Sequence, residues 1–383
     1  MTKRSNVAFA APAIEEERLT APSDIGRLSL WQLMWRRFLC NRLAVASSIV
    51  LLVLYLLVIF ADFLSPYDYN EMNQDLMYLS PQLPQFVDPQ GRFHWRPFVY
   101  GTETSLDTHS LQYVHKPDRS KIYPIGFFVR GKPYRLLGLI PTDIHLFGVD
   151  KPGSCHILGT DRLGRDFWVR ILHGGQVSLS VGLIGVFLTI IFGSALGTAS
   201  GYFGGTTDML MQRGIEVLMS FPQIPLWAAF AAALPPEWST VKRYFAISII
   251  LSLVNWTGLA RQVRAKVLAY REMDYTSAAR AAGASDWRIV FVHMLPNALS
   301  HIIVVATLSI PGMILAETAL SFLGLGIQPP MVSWGTLLQD AQNVTVIILH
   351  PWLLIAGFFV IVAVLTFNFI GDGLRDAADP FAI

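Results

Sequence analysis

Residues 275–296 read YTSAARAAGASDWRIVFVHMLP, a cationic, glycine-punctuated stretch between two apolar runs that are each long enough to cross a bilayer as helices. Tyr275–Ala282 is alanine-rich and favours a helix. Gly283 suits the left-handed residue that follows a helix end. Ser285 is placed to cap a second helix through Asp286, Trp287 and Arg288, with Asp286 favoured in its first turn. Pro296 fits the first turn of the next apolar helix. Ala278, Ala279, Ala281 and Ala282 make a small-residue face that another surface can approach closely. On these helix signals alone, an amphipathic connector and a handle for a soluble partner are equal readings.

Composition places this segment in a membrane protein. Hydrophobic residues make up 53% of the chain and charged residues only 15%, and mean hydropathy is +0.45. The formal charge of +2 is too small to point to nucleic acid. The two cysteines, Cys40 and Cys155, fall on opposite sides of the first apolar run and show no metal-binding spacing.

The fold expected is an all-α polytopic membrane protein with six spans. They lie at about 43–64, 177–200, 212–234, 244–260, 298–320 and 351–370. The first run is too long for a signal-peptide core and lacks a cleavage site, so it reads as an uncleaved span. Residues 1–42 form an N-terminal tail, the first 30 or so polar and flexible. Arg36, Arg37 and Arg42 precede the first span, and the loop 261–296 carries six Lys/Arg against three Asp/Glu. The loop 321–350 carries no Lys or Arg. The positive-inside rule therefore puts both termini and the 261–296 loop in the cytoplasm.

An unusually long segment, 65–172, separates spans one and two and holds ten of the 22 prolines. It reads as a small, irregular, β-containing insertion outside the membrane, leaving 173–383 as the core with spans two to six. Ile125–Val129 and Tyr134–Ile140 flank Arg130-Gly131-Lys132, a predicted hairpin. Its histidines, His94, His109, His115, His145 and His156, are irregularly spaced, and no metal site is expected. Gly126–Lys132 matches most of a phosphate-binding loop, but Pro133 stands where Ser or Thr would meet magnesium. No cofactor is expected in this chain.

Gly193, Gly197, Gly201 and Gly205 stack on one helical face and predict close helix packing. Gly201-Tyr202-Phe203-Gly204-Gly205 also predicts a turn into the third span, which Pro222 and Pro225 should kink.

These residues carry a resemblance. Ser277-Ala278-Ala279, Gly283 and Leu295-Pro296 are spaced like the "EAA" loop of binding-protein-dependent ABC importer permeases. Ser277 stands where that family has Glu, and His293 where it has Ile. Leu158-Gly159-Thr160-Asp161-Arg162-Leu163-Gly164-Arg165-Asp166 resembles the C-type subunit of dipeptide/oligopeptide permeases. So do Ala319–Gly326, Gln328-Pro329-Pro330, Ser333-Trp334-Gly335 and Asn368–Asp376. The match runs through about 158–380 in the expected order and says little about 65–155.

The resemblance implies a type I permease fold in the bacterial inner membrane and a role as half of a channel. The implied partners are a B-type permease, two ABC ATPase subunits that carry ATP and magnesium, and a periplasmic solute-binding protein, besides membrane lipid. Ser277, Ala278, Ala279, Gly283, Leu295 and Pro296 would form the loop that docks on the ATPase. Asp161, Arg165 and Asp166, read as an exposed and Arg-alternating stretch, would face the binding protein. Glu317, alone in an apolar helix, would either line the translocation path or bond to the sister subunit. His301 and Asn255 read as helix–helix hydrogen bonders. The solute implied is a peptide, though nickel, opines and oligosaccharides are carried by similar permeases. Two readings of other classes remain: an ATP-independent transporter or channel, which leaves the 261–296 loop idle, and a membrane enzyme or sensor, for which 65–172 holds no catalytic constellation.

Overall fold

The computed structural model describes residues 29–107 and 112–378; most of the expected N-terminal tail, and His109, lie outside them. The described chain is mainly helical. Five helices are long and apolar enough to cross a membrane, or six if one bent pair forms a single span. They are α2 (Arg42–Ile59), α3 (Phe167–Phe203), α6 (Thr240–Arg271), the continuous rod Asp286–Phe322, and Pro351–Ala378, most of which is α12 (Ile355–Ala378). A shorter helix, α1 (Leu30–Cys40), precedes them, and the short α11 (Val344–Leu349) precedes the last.

The bent pair is α4 (Gly205–Met219) and α5 (Gln223–Ala232), which meet at 84°. The expected kink at Pro222 and Pro225 is thus a full break. Pro222 caps α5 and Pro225 lies in its first turn, where a missing backbone N–H costs nothing.

α3 and α6 pack closely because glycine removes the side chains between them. A Cβ at Gly193 would meet the Leu259 side chain at 2.9 Å, one at Gly197 would meet Ala260 O at 2.5 Å, and one at Gly201 would meet Arg264 O at 2.8 Å. Gly205 does not join this stripe. The helix ends at Phe203, Gly204 takes φ +65°, and Gly205 opens α4 facing open space. The main core gathers α3, α6, α9 (Leu295–Phe322) and α12 around Leu179, Ile247, Leu251, Ile314, Leu320 and Trp334.

Between α2 and α3 lies a four-stranded antiparallel sheet in the order β1 (Gln85–Val87), β2 (Phe93–Asp107), β3 (Gln112–Leu136), β4 (Ile140–Val149). The hairpin expected at Arg130-Gly131-Lys132 is not there. Those residues form an irregularity within β3, and the strand reverses at Leu137-Gly138, both at positive φ. Gly131 is needed because a Cβ there would lie 2.5 Å from His145 Cδ2. The sheet joins the segment after α2 through Leu146 N–H to Phe63 O at 2.7 Å and His145 Nδ1 at 2.8 Å from Asp62 O, and α3 joins the same segment through Trp168 Nε1–H to Leu64 O at 3.1 Å. α3 starts at Phe167, so the last six residues of the expected insertion belong to it.

Candidate functional site: the turn between α6 and α9

α6 runs helically to Arg271, and the rod containing α9 starts at Asp286. The loop expected over 261–296 therefore shortens to the segment between these helices. Within it, α7 (Asp274–Ala281) is the only helix. Gly283 takes φ +78°, and Ala284 N–H to Ala279 O at 3.0 Å and Gly283 N–H to Arg280 O at 2.9 Å close the helix end. That bonding satisfies carbonyls the helix would leave open. Ser285 then caps α8 (Asp286–Arg288), its Oγ accepting from Arg288 N–H at 3.4 Å.

The second helix expected here is thus the base of the long rod rather than a separate element. Ile289–Met294 form a π-helical turn between α8 and α9, and Pro296 lies in the first turn of α9. A proline there disturbs little because the wider turn already departs from the regular bonding pattern.

The predicted residues come together on one ledge. Ser277, Ala278, Gly283 and Pro296 are exposed, while Ala279 and Leu295 are half-buried. Beneath them, Ile289 and Met294 are fully buried against Tyr202, Leu259, Val263, Val267, Ala298 and Ile302. A Cβ on Gly283 would meet nothing within 4 Å, so the glycine answers to its backbone angle and leaves the ledge open outward.

Residues that sequence reasoning passed over tie the ledge to the spans. Tyr202 Oη donates to Asp286 Oδ1 at 2.5 Å. The Arg280 guanidinium carbon lies 5.6 Å from the centre of the Tyr202 ring, within cation–π range. Arg271 Nη1 donates to Tyr202 O at 3.3 Å. The last turn of α3 is therefore held by groups from α6, α7 and α8 at once. Two turns back along α6, Arg264 grips Asp208 through Nε at 2.5 Å and Nη2 at 2.6 Å. Ser200 Oγ donates to the same carboxylate, joining α3, α4 and α6. An aromatic residue beside a glycine turn was the available signal for Tyr202. No local pattern pairs Asp208 with Arg264, 56 residues apart.

At the opposite end the structure corrects two expectations. Asp161, Arg165 and Asp166 are not exposed but buried, Asp161 at 1%. Asp161 Oδ1 accepts from Leu163 N–H at 2.8 Å and Arg165 N–H at 3.0 Å, and Oδ2 from Arg165 Nε at 2.7 Å. Arg170 Nε lies 3.3 Å from the same oxygen without hydrogen-bond alignment. Asp166 caps α3 through Val169 N–H at 2.8 Å and pairs with His156 Nδ1 at 2.7 Å. The two glycines of this stretch explain its form. A Cβ at Gly159 would lie 2.4 Å from Leu79 O, and one at Gly164 only 1.8 Å from Asn73 O. Tyr78 N–H to Asp161 O at 3.0 Å and Leu79 N–H to Thr160 Oγ1 at 2.8 Å join this stretch to 73–79. The carboxylates tie it to the start of α3, and Arg162 is the exposed member of this latch, paired with Asp340 at 3.2 Å.

Glu317 is completely enclosed within the chain, so it neither lines an open path nor reaches outward to a sister subunit. Oε2 accepts from Ser178 Oγ at 2.9 Å and Oε1 from Ser321 Oγ at 2.7 Å. Those hydroxyls accept in turn from Trp334 N–H at 3.1 Å and Ile327 N–H at 3.0 Å. An ionisable group in an apolar interior needs such partners, and here they stitch α3, α9 and the loop before α10 (Trp334–Gln339) together. Asn255 Nδ2 reaches Met313 Sδ at 3.1 Å, a bond between α6 and α9.

Comparison with known proteins agrees with this architecture. Residues 190–382 match the family described as binding-protein-dependent transport system inner membrane component, and residues 29–81 match the N-terminal TM domain of oligopeptide transport permease C. The oligopeptide transport system permease protein OppC of Haemophilus influenzae is 34% identical over 98% of this chain and 94% of its own length. OppC of Bacillus subtilis is 30% identical over 97% of this chain and 95% of its own. The dipeptide transport system permease protein DppC of Alkalihalophilus pseudofirmus is 44% identical over 60% of this chain and 73% of its own. With the α6–α9 turn inside the matched region, the chain belongs to the family of binding-protein-dependent transport system inner membrane components.

Proposed function

We propose that this chain is the C-type permease subunit of an ATP-driven importer of peptides and that the α6–α9 turn is where ATP hydrolysis reaches it. In this reading the chain has six spans, α4 and α5 sharing one, and both termini face the cytoplasm of a bacterial inner membrane. It pairs with a B-type permease to form the pathway, one of two ABC ATPase subunits docks on the turn, and a periplasmic binding protein delivers the solute. ATP and magnesium belong to the ATPases. Peptide as the solute rests on the names of the relatives; nickel, opines and oligosaccharides are the alternatives within the same machinery.

The observation that carries the reading is the exposed ledge of Ser277, Ala278 and Gly283, whose base is bonded to the end of α3 through Tyr202 and Asp286. Small side chains allow a docked surface to come close, and the bonds beneath convert its displacement into movement of α3 and α6. The sheet before α3 suits contact with the binding protein, with Asp161, Arg165 and Asp166 acting by holding the loop rather than by touching a partner.

The test is purification of the tagged chain from native membranes in mild detergent, then reconstitution of what copurifies into proteoliposomes. Recovery of a sister permease and ATPase subunits, with ATP-dependent peptide uptake, is expected. A chain that comes out alone and transports without ATP would overturn the reading.

A further inference from the structure

α1 presents three faces. Met34 and Phe38 pack against Ile370, Leu374 and Ala377 at the end of α12, and a Cβ at Gly373 would lie 2.4 Å from the Ala44 Cβ and 3.3 Å from the Phe38 ring. Trp31, Trp35 and Leu39, at i, i+4 and i+8, form a second stripe that is 53%, 61% and 51% exposed. Gln32 and Arg36 lie beyond that stripe and are exposed, as is Arg42 at the start of α2. Neither Arg36 nor Arg42 forms an ion pair with any described residue.

The helix does not simply extend the first span. Asn41 is extended (φ −83°, ψ 97°) and caps α2, its Oδ1 accepting from Ala44 N–H at 3.1 Å. α1 is therefore a separate helix held at the membrane end of α2 and α12. This is the end that also carries Tyr202, because α2 finishes beside the start of α3, where Asp62 Oδ1 lies 3.3 Å from His173 Nε2.

We infer that α1 lies in the plane of a bilayer surface rich in anionic phospholipid, on the leaflet facing the α6–α9 turn. Trp31, Trp35 and Leu39 enter the acyl boundary, and Arg36 and Arg42 meet phosphate headgroups. The chain enters the hydrocarbon at Leu43, one residue after Arg42, so the exposed stripe continues directly into the lipid-facing surface of α2, where Leu43, Ile49, Val50 and Leu52 are also exposed. Tryptophan is favoured at this depth because its ring is apolar and its N–H polar. A short helix with an apolar face and cationic flank binds such a surface in plane, and basic groups beside a span are drawn to anionic headgroups. Since α1 grips α12 through Phe38, lipid binding would hold the cytoplasmic end of α12 while the α6–α9 turn moves.

The full chain in nanodiscs tests this, with one nitroxide at Leu39→Cys or at Arg36→Cys in a Cys40→Ser background. Cys155 is buried, at 1% exposure, and stays unlabelled. Discs of phosphatidylcholine with phosphatidylglycerol are compared with discs of phosphatidylcholine alone, reading accessibility to oxygen, which partitions into lipid, and to a water-soluble nickel chelate. In mixed discs the label at 39 should be oxygen-accessible, with nickel accessibility several-fold below that at 36. Removing phosphatidylglycerol should raise nickel accessibility at 39, and Arg36→Gln with Arg42→Gln should abolish that lipid effect. Equal nickel accessibility at 36 and 39 would overturn the proposal, since the stripe would then face water. Exclusion of both reagents at 39 would also overturn it, showing instead that protein, such as residues 1–28 or a second copy, covers the stripe. Lipid exposure at 39 that ignores phosphatidylglycerol would overturn the anionic partner.

Discussion

Tyr202 Oη sits 2.5 Å from Asp286 Oδ1, bonding the last turn of α3 to the first turn of the helix that becomes α9. The two residues are 84 apart in sequence, and between them lie α4, α5, α6 and α7. Any partner that displaces the α6–α9 ledge pulls on this bond. The glycine stripe of α3 then carries the displacement into α6, because Gly197 and Gly201 lie directly against the α6 backbone at Ala260 and Arg264.

Removing the hydroxyl isolates that link. Tyr202→Phe keeps the ring beneath Arg280 and loses one hydrogen bond to a charged group, a cost of about 1.5–3 kcal/mol. ATP-dependent uptake by the reconstituted complex should fall several-fold, while ATPase subunits still copurify. Asp286→Asn should give a similar loss, and the double variant should be no worse than either single one. Additive losses would show that the two residues act separately.

Gly283 distinguishes backbone strain from steric contact. A Cβ there meets open space and φ is +78°, so Gly283→Asn should be tolerated and Gly283→Ala should cost roughly 1–2 kcal/mol. Gly283→Val combines strain with bulk on the docking ledge. It should reach the membrane yet lose uptake and bind the ATPase weakly in pull-downs. Normal uptake by the valine variant would remove the ledge from the coupling mechanism.

Glu317 should behave as a stitch rather than as a pathway group. Glu317→Ala strands two serine hydroxyls and opens a cavity, which should lower the melting temperature in detergent, with a cost on the order of 2–5 kcal/mol. Glu317→Gln retains one acceptor and should lose less. A Glu317→Ala chain of unchanged stability but altered solute preference would return this residue to the pathway.

The latch opposite depends on glycine in a stricter way. A methyl at Gly164 would have to occupy space 1.8 Å from Asn73 O, so Gly164→Ala should free the 73–79 segment and expose it to limited proteolysis. Gly214→Ala, with nothing within 4 Å of its Cβ, is the matched control and should leave the protease pattern unchanged.

His350 predicts a pH effect. It stacks on Tyr78 at 4.0 Å with an interplanar angle of 2° and meets Trp352 edge-on. Burial, and then the charge of His115, push its pKa below the ordinary 6.5. The folded state thus prefers the neutral ring. That contribution is complete above about 6.5, declines as pH falls from there, and is lost once the lowered folded value is passed. Protection of residues 344–354 against hydrogen exchange, measured relative to the intrinsic exchange rate at each pH, should fall as pH drops below about 6.5, and His350→Phe should flatten that response.

The membrane class, five of the apolar helices and the position of the α6–α9 turn were legible in sequence because each rests on a local cause. Long apolar runs must cross lipid as helices, Gly283 must follow a helix end at positive φ, and Ser285 must cap what comes next. The glycine spacing of α3 was likewise readable as a packing face, although nothing in it named α6 as the partner. Tertiary structure decided what the polar residues do. Asp161 and Asp166 look exposed in a charged stretch yet are buried, their carboxylates bonded to nearby residues, and Glu317 looks like a pathway group yet is held by Ser178, 139 positions away. The same holds for Tyr202 with Asp286 and for Asp208 with Arg264. Chain statistics report the period and ends of a helix, whereas a hydrogen bond between distant residues exists only once packing has brought its two ends within about 3 Å.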